Sequence, residues 1–92
     1  PQEGSYTSYL FSKGVDKILK KVGEEATEVI IAAKDNNNTE TVAEICDLLF
    51  HVEVLMTERG LTWDDVANEI DARRLKEAKR KAENRTDECK IN

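Results

Sequence analysis

Residues 15–34 read VDKILKKVGEEATEVIIAAK, and the apolar positions in this stretch point to the fold class. Val15, Ile18, Leu19, Val22, Ala26, Val29, Ile30 and Ala33 recur at steps of three, four and seven. That spacing keeps side chains on one face of an α-helix. Gly23 interrupts the run at a cost of about 1 kcal/mol relative to alanine. The expected reason for it is close approach of a neighbouring helix.

Working outward, Asp35 to Asn38 form a turn, and Thr39 with Glu40 opens a second long helix that runs to about Arg59 and ends at Gly60. On the other side, Ser12, Lys13 and Gly14 separate the first long helix from a short one over Tyr6 to Phe11, capped by Ser5. Past Gly60, Thr62 is a candidate N-cap with Asp65 in the capping-box position. The helix it opens has a thinning apolar face of Val66, Ile70, Leu75 and Ala78. Residues 75–92 are mostly charged and are expected to be a solvated, fraying helical tail. No strand-like alternation and no repeat occur. The expectation is one all-α domain over residues 1–92, an antiparallel helical bundle.

Composition narrows the function. At 92 residues the chain has room for one modest core, so self-association is expected to complete it. Nineteen acidic against fourteen basic residues give a formal charge of −5, which argues against nucleic acid as a partner. It leaves phosphorylated substrates open, because metal ions reverse the sign of an acidic pocket. Cys46 and Cys89 form no CxxC pair and His51 is the only histidine, so a zinc site lacks ligands. Cys46 is expected to be a small core residue. A reducing, cytoplasmic setting fits these cysteines, and no apolar run is long enough for a membrane span. The sequence does not begin with Met, so a segment upstream of Pro1 is expected.

The second long helix is apolar on most sides, with Val42, Ile45, Cys46, Leu48, Leu49, Phe50, Val52, Leu55 and Met56. Yet Glu40, Glu44, Asp47, His51 and Glu58 fall within an arc of roughly 60° at 100° per residue. Carboxylates on a helix buried on so many sides are rarely tolerated unless paired or bound to a metal. On the first long helix, Glu25 and Glu28 share one flank of the apolar stripe, with Glu24 a step behind. Residues three or four apart have neighbouring Cβ atoms, so Glu25 with Glu28, and Glu44 with Asp47, can each converge on one ion. Either motif alone reads as a solvated acidic face. On adjacent antiparallel helices the two describe an oxygen-rich site suited to magnesium. Lys17 and Lys21, on the flank of Glu25 and Glu28, are placed to meet phosphate oxygens. His51 has three readings: orienting Asp47, binding substrate, or serving as a polar partner in a helix interface. Phosphate-loop, calcium-loop and nucleophile-elbow motifs are absent.

Several segments together resemble the phosphoribosyl-ATP pyrophosphohydrolases of histidine biosynthesis. They are GSYT at 4–7, YLFSKG at 9–14, DKILKKVGEEATE at 16–28, IAAK at 31–34, EICDLLFH at 44–51 and residues 70–74. Cys46 stands where a small alanine is more usual, Phe50 where tyrosine is common, and the family's usual short helical segment before this start is not in the sequence. The resemblance implies the all-α fold of magnesium-dependent nucleotide pyrophosphatases, completed by dimerisation. It implies cleavage of phosphoribosyl-ATP to phosphoribosyl-AMP and pyrophosphate, alongside phosphoribosyl-AMP cyclohydrolase as a functional associate. By position, Glu25, Glu28, Glu44 and Asp47 would hold Mg2+, and Glu24 or Glu28 would take the proton from water. Lys13, Lys17, Lys21, Lys34, His51, Arg73 and Arg74 are the candidates for substrate contact. Two other readings keep the same acids: a house-cleaning pyrophosphatase of ordinary or damaged triphosphates, and a non-catalytic helical dimerisation module.

Overall fold

The structure is a computed structural model that describes residues 4–91, with side chains through residue 84. Among the described residues four helices follow in order: α1 (Tyr6–Lys13), α2 (Val15–Lys34), α3 (Asn38–Arg59) and α4 (Trp63–Ile91). No strand occurs among the described residues. The chain divides into two compact units, residues 1–61 with α1 to α3 and residues 62–92 with α4.

Each helix boundary in the first unit has a local cause. The Ser5 side chain accepts from the Ser8 amide at 3.0 Å and starts α1. The helix then runs two residues further than its sequence suggests, through Ser12 and Lys13, because Gly14 alone makes the break. Gly14 adopts φ 91° and ψ −179°, a conformation open essentially to glycine. Its amide still donates to the Leu10 carbonyl at 3.1 Å, so α2 begins immediately afterwards.

The turn between α2 and α3 divides its work among neighbouring asparagines. Asn36 takes the left-handed conformation, φ 59°, and its amide reaches the Ala33 carbonyl. The Asn37 amide reaches the Ala32 carbonyl, which completes a Schellman closure of α2. The Asn37 side chain then accepts from the Glu40 amide at 3.0 Å and caps α3. So α3 starts at Asn38, one residue earlier than expected. Gly60, φ 74°, closes α3 in the same way, with the Leu61 amide on the Met56 carbonyl at 2.7 Å.

With so short a turn, α2 and α3 pack antiparallel along their lengths. Leu10 of α1, Ile18 of α2 and Val54 of α3 form the buried core, with Phe11 and Leu55 packed against it. Ala32 and Met56 are also buried. A second apolar surface stays open. Leu19, Ile30 and Ile31 of α2 and Val42, Ile45 and Leu49 of α3 are all exposed, Val42 and Ile30 by 62%. Two expectations change here. Cys46 is exposed rather than in the core, since it shares the outward side of α3 with Val42 and Leu49. The neighbouring helix expected at Gly23 is not met among the described residues of this chain, where a Cβ would find no atom within 4 Å.

In the second unit, Thr62 and Asp65 make the anticipated capping box. The Thr62 amide donates to the Asp65 carboxylate at 2.8 Å, and the Asp65 amide donates to the Thr62 hydroxyl at 3.3 Å. Residues 75–91 continue α4 as helix. The side-chain character expected for residues 85–92 of the tail lies outside the described residues.

Candidate active site

The antiparallel pairing sets the acids of α2 opposite those of α3. Glu25, Glu44 and Asp47 each contribute a carboxylate oxygen to a group whose atoms lie within 4.8 Å of one another. Glu25 and Glu44 are half-buried, and Asp47 is exposed. Three carboxyls this close cannot all ionise freely. The Glu44 carboxyl is pushed up to about 7, first by a hydrogen bond with Glu25, then by burial and a hydrogen bond with Glu40, then by the charges of Glu25 and Asp47. A proton shared among acids marks a place where a cation would relieve the repulsion. The donors are all oxygens, with no imidazole or thiol among them, so the set fits a hard divalent ion such as magnesium.

Of the four acids expected to converge, three do. Glu28 is exposed and lies outside the group. Its Cβ points roughly 60° round α2 from that of Glu25, away from the side that carries Ile18 and Ala32 into the helix interface. Glu24 is exposed as well. Lys21 ties the α2 acids together, with its ammonium 3.5 Å from both Glu24 and Glu25. Burial works to lower the Lys21 pKa, but the fields of Tyr6, Glu24 and Glu25 and the Glu24 hydrogen bond outweigh it, and the net shift is upward. Lys21 thus stays a cation beside the cluster. Lys17 is half-buried one turn before it.

The remaining basic candidates are each described by their own surroundings. Lys13 sits over the Tyr9 ring, 5.7 Å from its centroid. Lys34 is exposed at the end of α2, about 13 Å along the axis from Glu25. Arg73 and Arg74 are exposed on α4, where Arg73 Nε donates to Glu69 Oε2 at 2.9 Å.

His51 is buried, 5% exposed, and both ring nitrogens are engaged. Nδ1 lies 2.7 Å from the Asp47 carbonyl oxygen and Nε2 lies 2.9 Å from the Tyr6 hydroxyl. A carbonyl can only accept, so Nδ1 carries the proton, and in the neutral ring Nε2 accepts from Tyr6. Among the three readings of this histidine, its burial supports a polar partner between α1 and α3 that also touches the Asp47 turn. Tyr6 was not among the expected site residues. A buried histidine requires a partner, but nothing in the sequence singles out a tyrosine 45 positions away.

Known proteins resemble this chain along most of its length. The family model described as phosphoribosyl-ATP pyrophosphohydrolase matches residues 1–74. A phosphoribosyl-ATP pyrophosphatase of Clostridium novyi is 54% identical over 84 residues, covering 91% of this chain and 76% of the relative. One from Limosilactobacillus fermentum is 60% identical over 73 residues, covering 79% of this chain and 69% of the relative. The histidine biosynthesis bifunctional protein HisIE of Caldanaerobacter subterraneus subsp. tengcongensis is 58% identical over 73 residues, which are 79% of this chain but 36% of that protein. The converging acids on α2 and α3 therefore belong to a hydrolase of known kind: this chain is a member of the phosphoribosyl-ATP pyrophosphohydrolase family.

Proposed function

We propose that this chain hydrolyses the α–β phosphoanhydride of phosphoribosyl-ATP, releasing phosphoribosyl-AMP and pyrophosphate, with magnesium held at Glu25, Glu44 and Asp47. The observation that carries the reading is the convergence of those three carboxylates in a chain of this family. A bound divalent ion would offset the phosphate charge that repels an incoming nucleophile and would make bound water more acidic. The chain's own groups account for the rest. Glu25 and Glu44, half-buried, fix the ligand positions from two helices. Lys21 and Lys17 supply cationic donors for phosphate oxygens on the α2 flank. Glu24 and Glu28, outside the three-acid group, remain the candidates to accept the proton of the attacking water, with Glu28 as a further ligand in reserve.

Choice of substrate needs more than these acids, because every triphosphate offers them the same phosphates. The additional phosphoribosyl group requires a cationic partner, drawn from Lys13, Lys34, Arg73 and Arg74. One charged hydrogen bond contributes about 1.5–3 kcal/mol, or roughly a tenfold to hundredfold preference.

The exposed apolar surface of Leu19, Ile30, Val42, Ile45 and Leu49 supports a homodimer in which a second copy covers it. No helix among the described residues is long and apolar enough to cross a membrane, and a cytoplasmic site of action goes with the proposed activity. HisIE is bifunctional and this chain matches about a third of it. That supports association with the cyclohydrolase that would consume phosphoribosyl-AMP.

The experiment is pyrophosphate release with magnesium, comparing kcat/KM for phosphoribosyl-ATP with that for ATP and a panel of other triphosphates. Preference for phosphoribosyl-ATP is the expected result. Equal cleavage of ATP would replace this reading with the house-cleaning one, and no release from any substrate would favour a non-catalytic module.

A further inference from the structure

Asp47 is the exposed member of the acid cluster, so packing holds its side chain less than it holds Glu25 or Glu44. Its backbone, by contrast, is tied down. The Asp47 carbonyl accepts from His51 Nδ1 at 2.7 Å. The imidazole is itself fixed at its other end by the Tyr6 hydroxyl at 2.9 Å. His51 is the only buried polar side chain among the described residues, and none of those residues leaves a buried polar side-chain atom without a partner.

Tyr6 is held in turn by rings. It stacks with Tyr9, at 6.2 Å and 22°, and with Phe50, at 6.0 Å and 25°, and meets the His51 ring edge-on at 5.7 Å. A phenylalanine would satisfy every one of these ring contacts. Tyr6 is also 45% exposed, so burial alone does not call for an aromatic there. Only the hydroxyl is specific, and it completes a path of two hydrogen bonds from α1 through His51 to the turn of α3 that carries Asp47.

We propose that Tyr6 is a positioning residue for the acid cluster, acting through the His51 imidazole on the Asp47 turn. The inference rests on the cluster being the cation site. It concerns which residues hold that site in shape, a role in which outer partners of a metal ligand commonly change affinity by about tenfold to a hundredfold.

The test uses the whole chain and Mn2+ as the probe ion, with binding followed by paramagnetic resonance. Because His51 is the only histidine, its 15N signals in metal-free protein report the ring directly. They should show a protonated Nδ1 and a hydrogen-bond-accepting Nε2, and Tyr6→Phe should move the Nε2 signal. The Tyr6→Phe protein should bind Mn2+ about tenfold more weakly while retaining its helix content. His51→Asn keeps a donor near the Asp47 carbonyl but cuts the link to Tyr6. Adding Tyr6→Phe to His51→Asn should then weaken binding by less than twofold, because the two changes break one path.

The proposal is overturned if Tyr6→Phe leaves Mn2+ affinity within twofold of the wild type, whatever it does to thermal stability. It is also overturned if its full effect persists beside His51→Asn, or if Nε2 carries the proton in the neutral ring. Should His51→Asn fail to fold, the ring signals and the single Tyr6→Phe variant still decide. Absence of Mn2+ binding in the wild type is a different failure, since it removes the cation site itself and the proposal with it.

Discussion

The acid cluster should make cation affinity depend on pH through one identifiable carboxyl. Glu44 is held up to about 7 by its hydrogen bond with Glu25, by burial, by Glu40 and by the neighbouring charges. A divalent ion needs the ionised form, so binding must expel that proton. With a pKa near 7, roughly a tenth of the sites are ionised at pH 6, about half at pH 7 and about nine-tenths at pH 8. The apparent Mg2+ association constant should therefore rise about tenfold from pH 6 to pH 8 and then level off. Calorimetry in two buffers of different ionisation enthalpy should count close to one proton released below pH 6, falling toward none at pH 8. Glu44→Gln should bind more weakly, with the pH dependence gone. The same shift sets the sign for folding. The folded metal-free protein holds this proton more tightly than the unfolded chain, whose glutamate titrates near 4.5. Its contribution to stability therefore falls as pH rises from about 4.5 through 7, and saturating Mg2+ should offset the loss. Flat Mg2+ affinity between pH 6 and 8 in the wild type would refute the argument.

Three further outcomes are expected. Asp47→Asn removes one charged ligand oxygen and should abolish most pyrophosphate release with unchanged far-UV circular dichroism; Glu28→Gln should do the same by removing a proton acceptor, but with Mg2+ affinity largely kept. Leu49→Asp should convert the proposed dimer to a folded monomer in sedimentation, since Leu49 is 51% exposed in the single chain, whereas Met56→Asp should unfold the chain, because Met56 is buried. Gly60→Ala places a Cβ in the left-handed conformation and should destabilise by about 1–2 kcal/mol, read as a lowered midpoint in urea.

Helix boundaries were legible because each has a chemical cause within a few residues. Ser5, the asparagine turn, Gly60 and the Thr62–Asp65 box all act locally, and the differences amount to a residue or two at Lys13 and Asn38. The acids were legible because helical spacing fixes their angular position. What periodicity lacks is the direction of the partner. On α3, apolar residues surround the axis, so spacing alone could not divide Val54 and Met56, which face this chain's own core, from Cys46, Ile45 and Leu49, which do not. On α2 it placed Glu25 and Glu28 on one flank, while the side turned toward α3 includes Glu25 but excludes Glu28. The Tyr6–His51 hydrogen bond lay beyond reach for another reason: it joins two distant positions through a packing that no local pattern encodes.

The asparagine turn also acts as a phase reference for the site. Ile18 pairs with Val54, and seven residues further along α2 Glu25 meets Asp47, seven residues back along α3. Two rods are meshed like gears, and the turn determines which tooth meets which. One residue inserted between Asp35 and Asn37 would start α3 a step late, rotating its teeth by roughly 100° and sliding them about 1.5 Å. Core and acid cluster would lose register together, since both are timed by the same short connection. Side chains in the turn can vary wherever another residue supplies the left-handed bend and the cap, whereas a change in its length would reach the core and the acids at once.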